Sequence, residues 1–326
     1  MSKLFVANLL SKRVDKSPWL LRLLWSLEGG LIAALWRLSR SVSPDRASET
    51  GRRLLRTIGP RLHKTSIIRR NLQIAFPDKS ALEIEQLVRD VWGNLGSILA
   101  EYAHLGIICN REAVSRLEIE RRGDSGVFRN GGPAVFVTAH LANWEVAAGA
   151  VVWQKIPLTG IYTPIQNPGI NDLLYRSREE LNCGMVKREG AVRQLIKELK
   201  KGVSVGLIVD QRVDAGELVS FFGHGMKTSI TPAQLALRCR CELIPVQVQR
   251  RGGAHFRVIF HEPVQPDDTI AAERERILDM TRRVNALFES WIRERPHEWM
   301  CTKRRWPRDL QRQVQAPSGN GARDVR

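Results

Sequence analysis

Short runs rich in β-branched residues alternate with longer runs of helical period from Leu117 onward, and this alternation limits the fold more than any other feature. The spacing predicts strands near Leu117 to Arg121, Ala134 to Thr138, Leu158 to Tyr162, Val203 to Val209, Glu242 to Gln249 and Phe256 to His261. Between and after them it predicts helices near Asn143 to Gln154, Ile170 to Leu181, Ala191 to Lys200, Thr231 to Arg240 and Thr269 to Arg293. Such a pattern gives an α/β fold with a largely parallel mixed sheet flanked by helices. With 326 residues, 43% of them hydrophobic, the chain can bury a substantial core.

Residues 1–110 read differently, as a helical and basic region that associates with membranes. The α/β core then spans 111–306, packed as one domain with the preceding helices, and 307–326 reads as a disordered tail. The formal charge is +17, and between Lys3 and Arg70 there are 15 Lys and Arg against 4 Asp and Glu. So large a surplus calls for an anionic partner or surface. Nucleic acid is the weakest candidate, because no zinc-finger spacing, RNA-binding aromatic block or basic zipper is present. An anionic leaflet can contribute about 1 kcal/mol for each Lys or Arg held near it. The segment Pro18 to Arg40 lacks a clean transmembrane run, being interrupted by Arg22, Glu28 and Arg37. Nor does it have the cleavage site of a signal peptide. On a helix its polar and small residues, Arg22, Ser26, Gly29, Ala33, Arg37 and Arg40, form one narrow stripe. Most of the rest is Leu, Ile or Trp, which suits the membrane interface. Packing of the helix into the core is the alternative, and Glu28 on the apolar side argues against deep insertion. The five cysteines show no metal-ligand spacing, and reduced thiols facing the cytosol are the simplest account.

The chemistry concentrates where the apolar run Ala134 to Thr138 meets the next helix, at His140 and Glu145. Five residues apart on one helix, two side chains diverge by roughly 140°, so they meet only if His140 lies outside the helix. An imidazole whose second nitrogen is held by a carboxylate is a general base of fixed tautomer, suited to taking a proton from a hydroxyl. The bland alternative is a strand-end His and a Glu that complements the helix dipole. Asp210 ends another apolar run, at the strand edge where open α/β sheets place ligands.

The His140–Glu145 stretch, H-L-A-N-W-E, resembles the H-x4-D/E motif of the glycerolipid acyltransferase superfamily, and in particular the late lipid A acyltransferases of lauroyl and myristoyl type. Asn71-Leu72 with Ala75-Phe76-Pro77 is similar to that family's N-L-x-x-A-F-P segment, and Tyr162-Thr163-Pro164 with Asn167-Pro168 to its Y-x-P-x-x-N-P block. Aligning from there puts Arg178 on the family's functional arginine. Lys187 to Gly190, Asp210-Gln211, Phe221-Phe222-Gly223 and Arg304-Arg305-Trp306 follow in order, with Cys301 and Lys303 departing from the usual closing pattern. The resemblance implies His140 as general base, Glu145 as the group that orients it, and Arg178, Arg188, Asn143, Tyr162 and Asp210 around the substrate, with the two arginines on phosphate or carbohydrate oxygens. It implies acyl carrier protein as thioester donor, a lipid A precursor as acceptor, no cofactor or metal, no covalent intermediate, and a place at the cytoplasmic face of the inner membrane. A lysophospholipid or another glycolipid acylated from acyl-CoA is the nearest rival, and a non-catalytic membrane- or nucleic-acid-binding protein the more distant one. Gly123-Asp124-Ser125-Gly126 resembles a protease nucleophile segment but reads better as a turn. No G-x-S-x-G elbow, P-loop or G-x-G-x-x-G occurs.

Overall fold

A computed structural model describes residues 18–110 and 116–313. Its centre is a seven-stranded sheet built from β1 (Leu117–Arg121), β2 (Ala134–Thr138), β3 (Leu158–Tyr162), β4 (Gly184–Lys187), β5 (Ser204–Ile208), β8 (Glu242–Gly252) and β9 (His255–Phe260). The strands run in the order β1-β9-β8-β2-β5-β3-β4, and every pair is parallel except β8 with β9. The α/β class and the mostly parallel sheet are as the alternation predicts. Two further strands, β6 (Glu217–Phe221) and β7 (His224–Thr228), form a separate antiparallel hairpin.

Strand period 2 divides the core into two layers. On β2, Phe136 joins Val146, Ala150, Ile244 and Phe256 on one face, beneath the helix Glu145–Trp153. Val135 and Val137 face the other way, into a larger cluster with the helices Ala191–Lys200, Thr231–Cys239 and Glu273–Glu294. All five residues of β2 are buried, as expected of a central parallel strand covered on both sides.

The N-terminal part supplies α1 (Pro18–Arg40), α2 (Pro44–Ile58), α3 (Thr65–Ala75) and α4 (Ala81–Glu101). Ser80 and Glu83 start α4 with a reciprocal capping box. Helices α2 and α4 meet at Gly51 and Gly96, where a Cβ on either would be driven into the other's backbone carbonyl. Helix α1 contains no buried residue, so it does not pack into the core. Its small, polar side faces the protein, with Ser26, Gly29 and Ala33 lining a groove against Asn167 and Gly169. Asn167 Nδ2 donates to the Trp25 carbonyl at 2.9 Å and to Glu28 Oε2 at 3.3 Å, so Glu28 sits on the protein side rather than the apolar one. Leu23, Leu27, Leu31, Leu35 and Leu38 all point outward.

The reading of everything past Trp306 as a disordered tail is corrected in part. Arg308–Gln313 is helical, and the buried Gln311 donates to Asn71 Oδ1 at 3.1 Å. Residues 314–326 lie outside the described residues.

Candidate active site

Parallel register builds the site. Thr138 on β2 stands opposite Ile208 on β5, and Val209 N–H continues the ladder to the Thr138 carbonyl at 3.1 Å. Two residues beyond each partner come His140 and Asp210, which the same register delivers to one place at the carboxyl edge of the sheet. His140 Nδ1 lies 2.5 Å from Asp210 Oδ1, and the Trp299 indole N–H donates to Asp210 Oδ2 at 3.0 Å. Burial works to raise the Asp210 carboxyl, but His140, Trp299 and the nearby charge of Arg305 prevail and hold it below the usual carboxylate range. An ionised Asp210 accepts the Nδ1 proton, which leaves the lone pair on Nε2. Gln211 Nε2 lies 3.2 Å from that atom.

The sequence reading gave the place of Asp210 to Glu145, and the structure corrects it. Trp144 separates His140 from Glu145: its ring meets the imidazole edge-on at 4.9 Å, while its Nε1 donates to Glu145 Oε1 at 3.1 Å. Glu145 instead carries the fork of Arg178, with Nε to Oε2 at 2.9 Å and an Nη to Oε1 at 2.6 Å, and accepts the Tyr102 hydroxyl at 2.5 Å. A permanently charged planar fork competes better for a buried carboxylate than a neutral ring does. Burial alone would raise the Glu145 carboxyl, yet Arg178 and its neighbours keep it below the usual range. Arg178 is therefore committed to Glu145 and not turned outward to phosphate.

Asn143 is likewise corrected. It is fully buried, donating to Glu101 Oε2 at 2.9 Å and accepting the Glu145 N–H at 3.3 Å, so it shapes the turn instead of meeting substrate. The same turn holds Ala142 at φ +46°, a left-handed conformation that costs a residue with a Cβ of order 1 kcal/mol or more. Buried partners keep it there: Asn94 Nδ2 donates to the Ala142 carbonyl at 3.3 Å, and Ala142 N–H to the Glu298 carbonyl at 3.1 Å. Glu101 itself is paired with Arg250. Residues 299 and 300 close over the far side, where Met300 N–H donates to the His140 carbonyl at 2.9 Å and Leu141 bridges to Trp299.

Tyr162 stands at the end of β3 in the wall of a largely apolar cleft of about 240 Å³, with Ile98, Leu99, Trp144, Leu174 and Met300. A smaller apolar chamber of about 100 Å³ lies beneath the Glu145–Trp153 helix, lined by Phe136, Leu158, Gly160, Met185 and Gly206 and bounded by Glu145 and Arg178. Arg188 follows β4, exposed, with its backbone N–H on the Tyr162 carbonyl at 3.0 Å. His140 thus stands between the apolar cleft, through Trp144 and Met300, and a polar cleft that begins at Gln211. No group of His, Cys, Asp and Glu suited to a metal ion occurs among the described residues.

The model of the family described as "Bacterial lipid A biosynthesis acyltransferase" matches residues 19–308. The chain belongs to that family. It is an acyltransferase of lipid A biosynthesis, and a lipid A precursor is its substrate class. Among known relatives, the lipid A biosynthesis myristoyltransferase of Escherichia coli K12 is 25% identical over 236 residues, covering 70% of this chain and 71% of that one. The lipid A biosynthesis palmitoleoyltransferase of the same organism is 27% identical over 150 residues, covering 45% and 48%. A solved structure, the 1-acyl-sn-glycerophosphate acyltransferase PlsC from Thermotoga maritima, aligns at a TM-score of 0.35 and 15% identity, covering 74% of this acyltransferase and 97% of PlsC.

Sequence reasoning missed Tyr102, which meets Glu145 and Arg178, and Trp299, which meets Asp210. The nearest signal for Trp299 is the closing block Glu298 to Trp306, in which Cys301, Lys303 and Arg304 to Trp306 stand out but Trp299 does not, and nothing in the spacing ties that block to Asp210.

Proposed function

We propose that this lipid A acyltransferase passes a fatty acyl chain directly from the thioester of acyl carrier protein to a hydroxyl of the glycolipid, with His140 as general base and Asp210 as the group that orients it. His140 Nε2 takes the hydroxyl proton as the oxygen attacks the thioester carbonyl. The C–S bond then breaks and the imidazolium returns the proton to the departing thiolate, leaving an ester and a free thiol. No enzyme nucleophile is needed. The observation that carries this reading is the 2.5 Å contact of His140 Nδ1 with an ionised, buried Asp210, which fixes the tautomer the chemistry requires. The apolar cleft beside Trp144 suits an acyl chain next to the reacting centre. Glu145, through Arg178 and Tyr102, keeps the wall of that cleft in place.

The outward leucine face of α1 supports a working position on the cytoplasmic face of the inner membrane. This is the one described helix long and apolar enough to cross a bilayer, and it ends in Arg37 and Arg40. The test is transfer from an acyl carrier protein thioester to a lipid A precursor, read by mass spectrometry of the lipid. Wild-type protein should add one acyl mass. His140→Ala should lose about 10²- to 10⁴-fold in rate while folding normally, and retention of most activity in that variant would defeat the assignment.

A further inference from the structure

Gln211, whose amide touches His140, also forms one wall of an open cleft of about 570 Å³ lined by Arg212, Asp214, Lys303, Arg304 and Arg308. Arg212 is paired with Asp214 at 3.0 Å. Among the described residues, Lys303, Arg304 and Arg308 form no ion pair, and neither does Arg188. Other surface arginines do find acids, as Arg53 does Glu49 and Arg176 does Asp172. The cleft collects like charge instead. The Lys303 ammonium is held below its ordinary range, first by loss of solvent around it and then by the charges of Arg188 and Lys64. Behind them the buried Arg305 stacks on Phe221 at 4.4 Å, a further cation whose charge is felt by Asp210 and Glu289 without a direct ion pair among the described residues.

Several unpaired cations in one concavity repel each other and raise the local concentration of anions. The position narrows the class of anion. The cleft opens one side chain from the nitrogen proposed to take the hydroxyl proton, at the carboxyl edge of the sheet where ligands of α/β folds lie. Its concave form suits a compact oxyanion better than the dispersed carboxylates of a folded acidic protein. We infer that the cleft formed by Gln211, Lys303, Arg304 and Arg308, with the charge of Arg188 felt at Lys303 from outside its lining, is a phosphate-binding subsite, and this rests on the acyl-transfer reading of His140. Two substrates can bring phosphate there: an acceptor sugar phosphate, or the phosphodiester of the donor's pantetheine arm. Either would fix the reacting group beside Nε2 by binding a distant part of the same molecule.

The test compares wild type with Lys303→Gln/Arg304→Gln, both exposed positions, on phosphorylated and phosphate-free glycolipid acceptors. Donors are acyl carrier protein thioester, acyl phosphopantetheine and acyl pantetheine. Loss of two charge-assisted contacts should raise KM about tenfold or more with kcat little changed. A penalty that disappears with the phosphate-free acceptor assigns the subsite to the acceptor, and one that disappears with acyl pantetheine assigns it to the donor. No penalty, a penalty that persists without any phosphate, or one confined to the carrier protein donor would overturn the inference. Should wild-type protein transfer nothing, the acyl-transfer reading fails by itself. Calorimetry with inorganic pyrophosphate then decides the subsite: wild type should bind it and the variant much more weakly, and equal binding would count against the subsite.

Discussion

At the scale of single residues, His140 is held by a relay of packed and hydrogen-bonded groups. Phe222 adopts φ +51° in the two-residue turn of the β6–β7 hairpin, where Gly or Asn fits with less strain. Its ring stacks on Trp299 with centroids 6.3 Å apart and lies under the Arg293 guanidinium, so packing offsets the strain of the turn. Trp299 in turn fixes Asp210 Oδ2, and Asp210 Oδ1 fixes His140. Trp299→Phe keeps the aromatic packing and removes one N–H to a buried carboxylate, a change of about 1–3 kcal/mol. The transfer rate should fall between roughly fivefold and a hundredfold in protein that still folds, with a lowered melting temperature, and a rate equal to wild type would remove Trp299 from the relay. His140 and Asp210 were both legible in the sequence as ionisable groups ending apolar strands. Their partnership was not, because it depends on β2 and β5 being neighbours in register across 70 residues of chain. Glu145 was misassigned because linear spacing names a nearby carboxylate without revealing that Arg178 and Tyr102 reach it first.

At the scale of elements, α4 carries much of the support for the site: Asn94 and Glu101 hold the His140 turn, and Tyr102, just after the helix, meets Glu145 and Arg178. Its position depends on the close crossing with α2 at Gly51 and Gly96. Gly96→Ala should force these helices apart at a cost of about 1–3 kcal/mol or more, lowering the denaturant midpoint and, through the turn, activity. An unchanged midpoint would show that the crossing is looser than described. The six strands of the alternating pattern were readable because they are apolar runs, as Ala134 to Thr138 is, or apolar residues alternating with polar ones, as in Leu117 to Arg121. The hairpin Glu217–Phe221 with His224–Thr228 was not, since Phe222-Gly223 replaces the usual Asn-Gly signal. Strand β4 was missed because it is a four-residue edge strand with one buried residue.

At the scale of the molecule, α1 inverts the usual amphipathic arrangement by turning small and polar residues toward the protein and leucines outward. Ser39 Oγ on the Ala100 carbonyl, and the contact of His104 Nε2 with the Ser39 carbonyl, anchor its end to the body that carries the site. Leu27→Glu/Leu31→Glu should therefore abolish cosedimentation with anionic phospholipid vesicles while leaving the circular dichroism spectrum of the core intact. Undiminished cosedimentation would place the membrane contact elsewhere. The narrow polar stripe of this helix was visible from sequence, but the direction it faces required the partner surface at Asn167. The fold brings His140 and Asp210 together across β2 and β5, and the transfer rate of a folded Asp210→Asn variant tests the proposed role of that pair most directly. An amide there no longer fixes the imidazole tautomer, so the rate should fall about 10²- to 10⁴-fold, and a rate within tenfold of wild type would contradict the pairing as the source of the base.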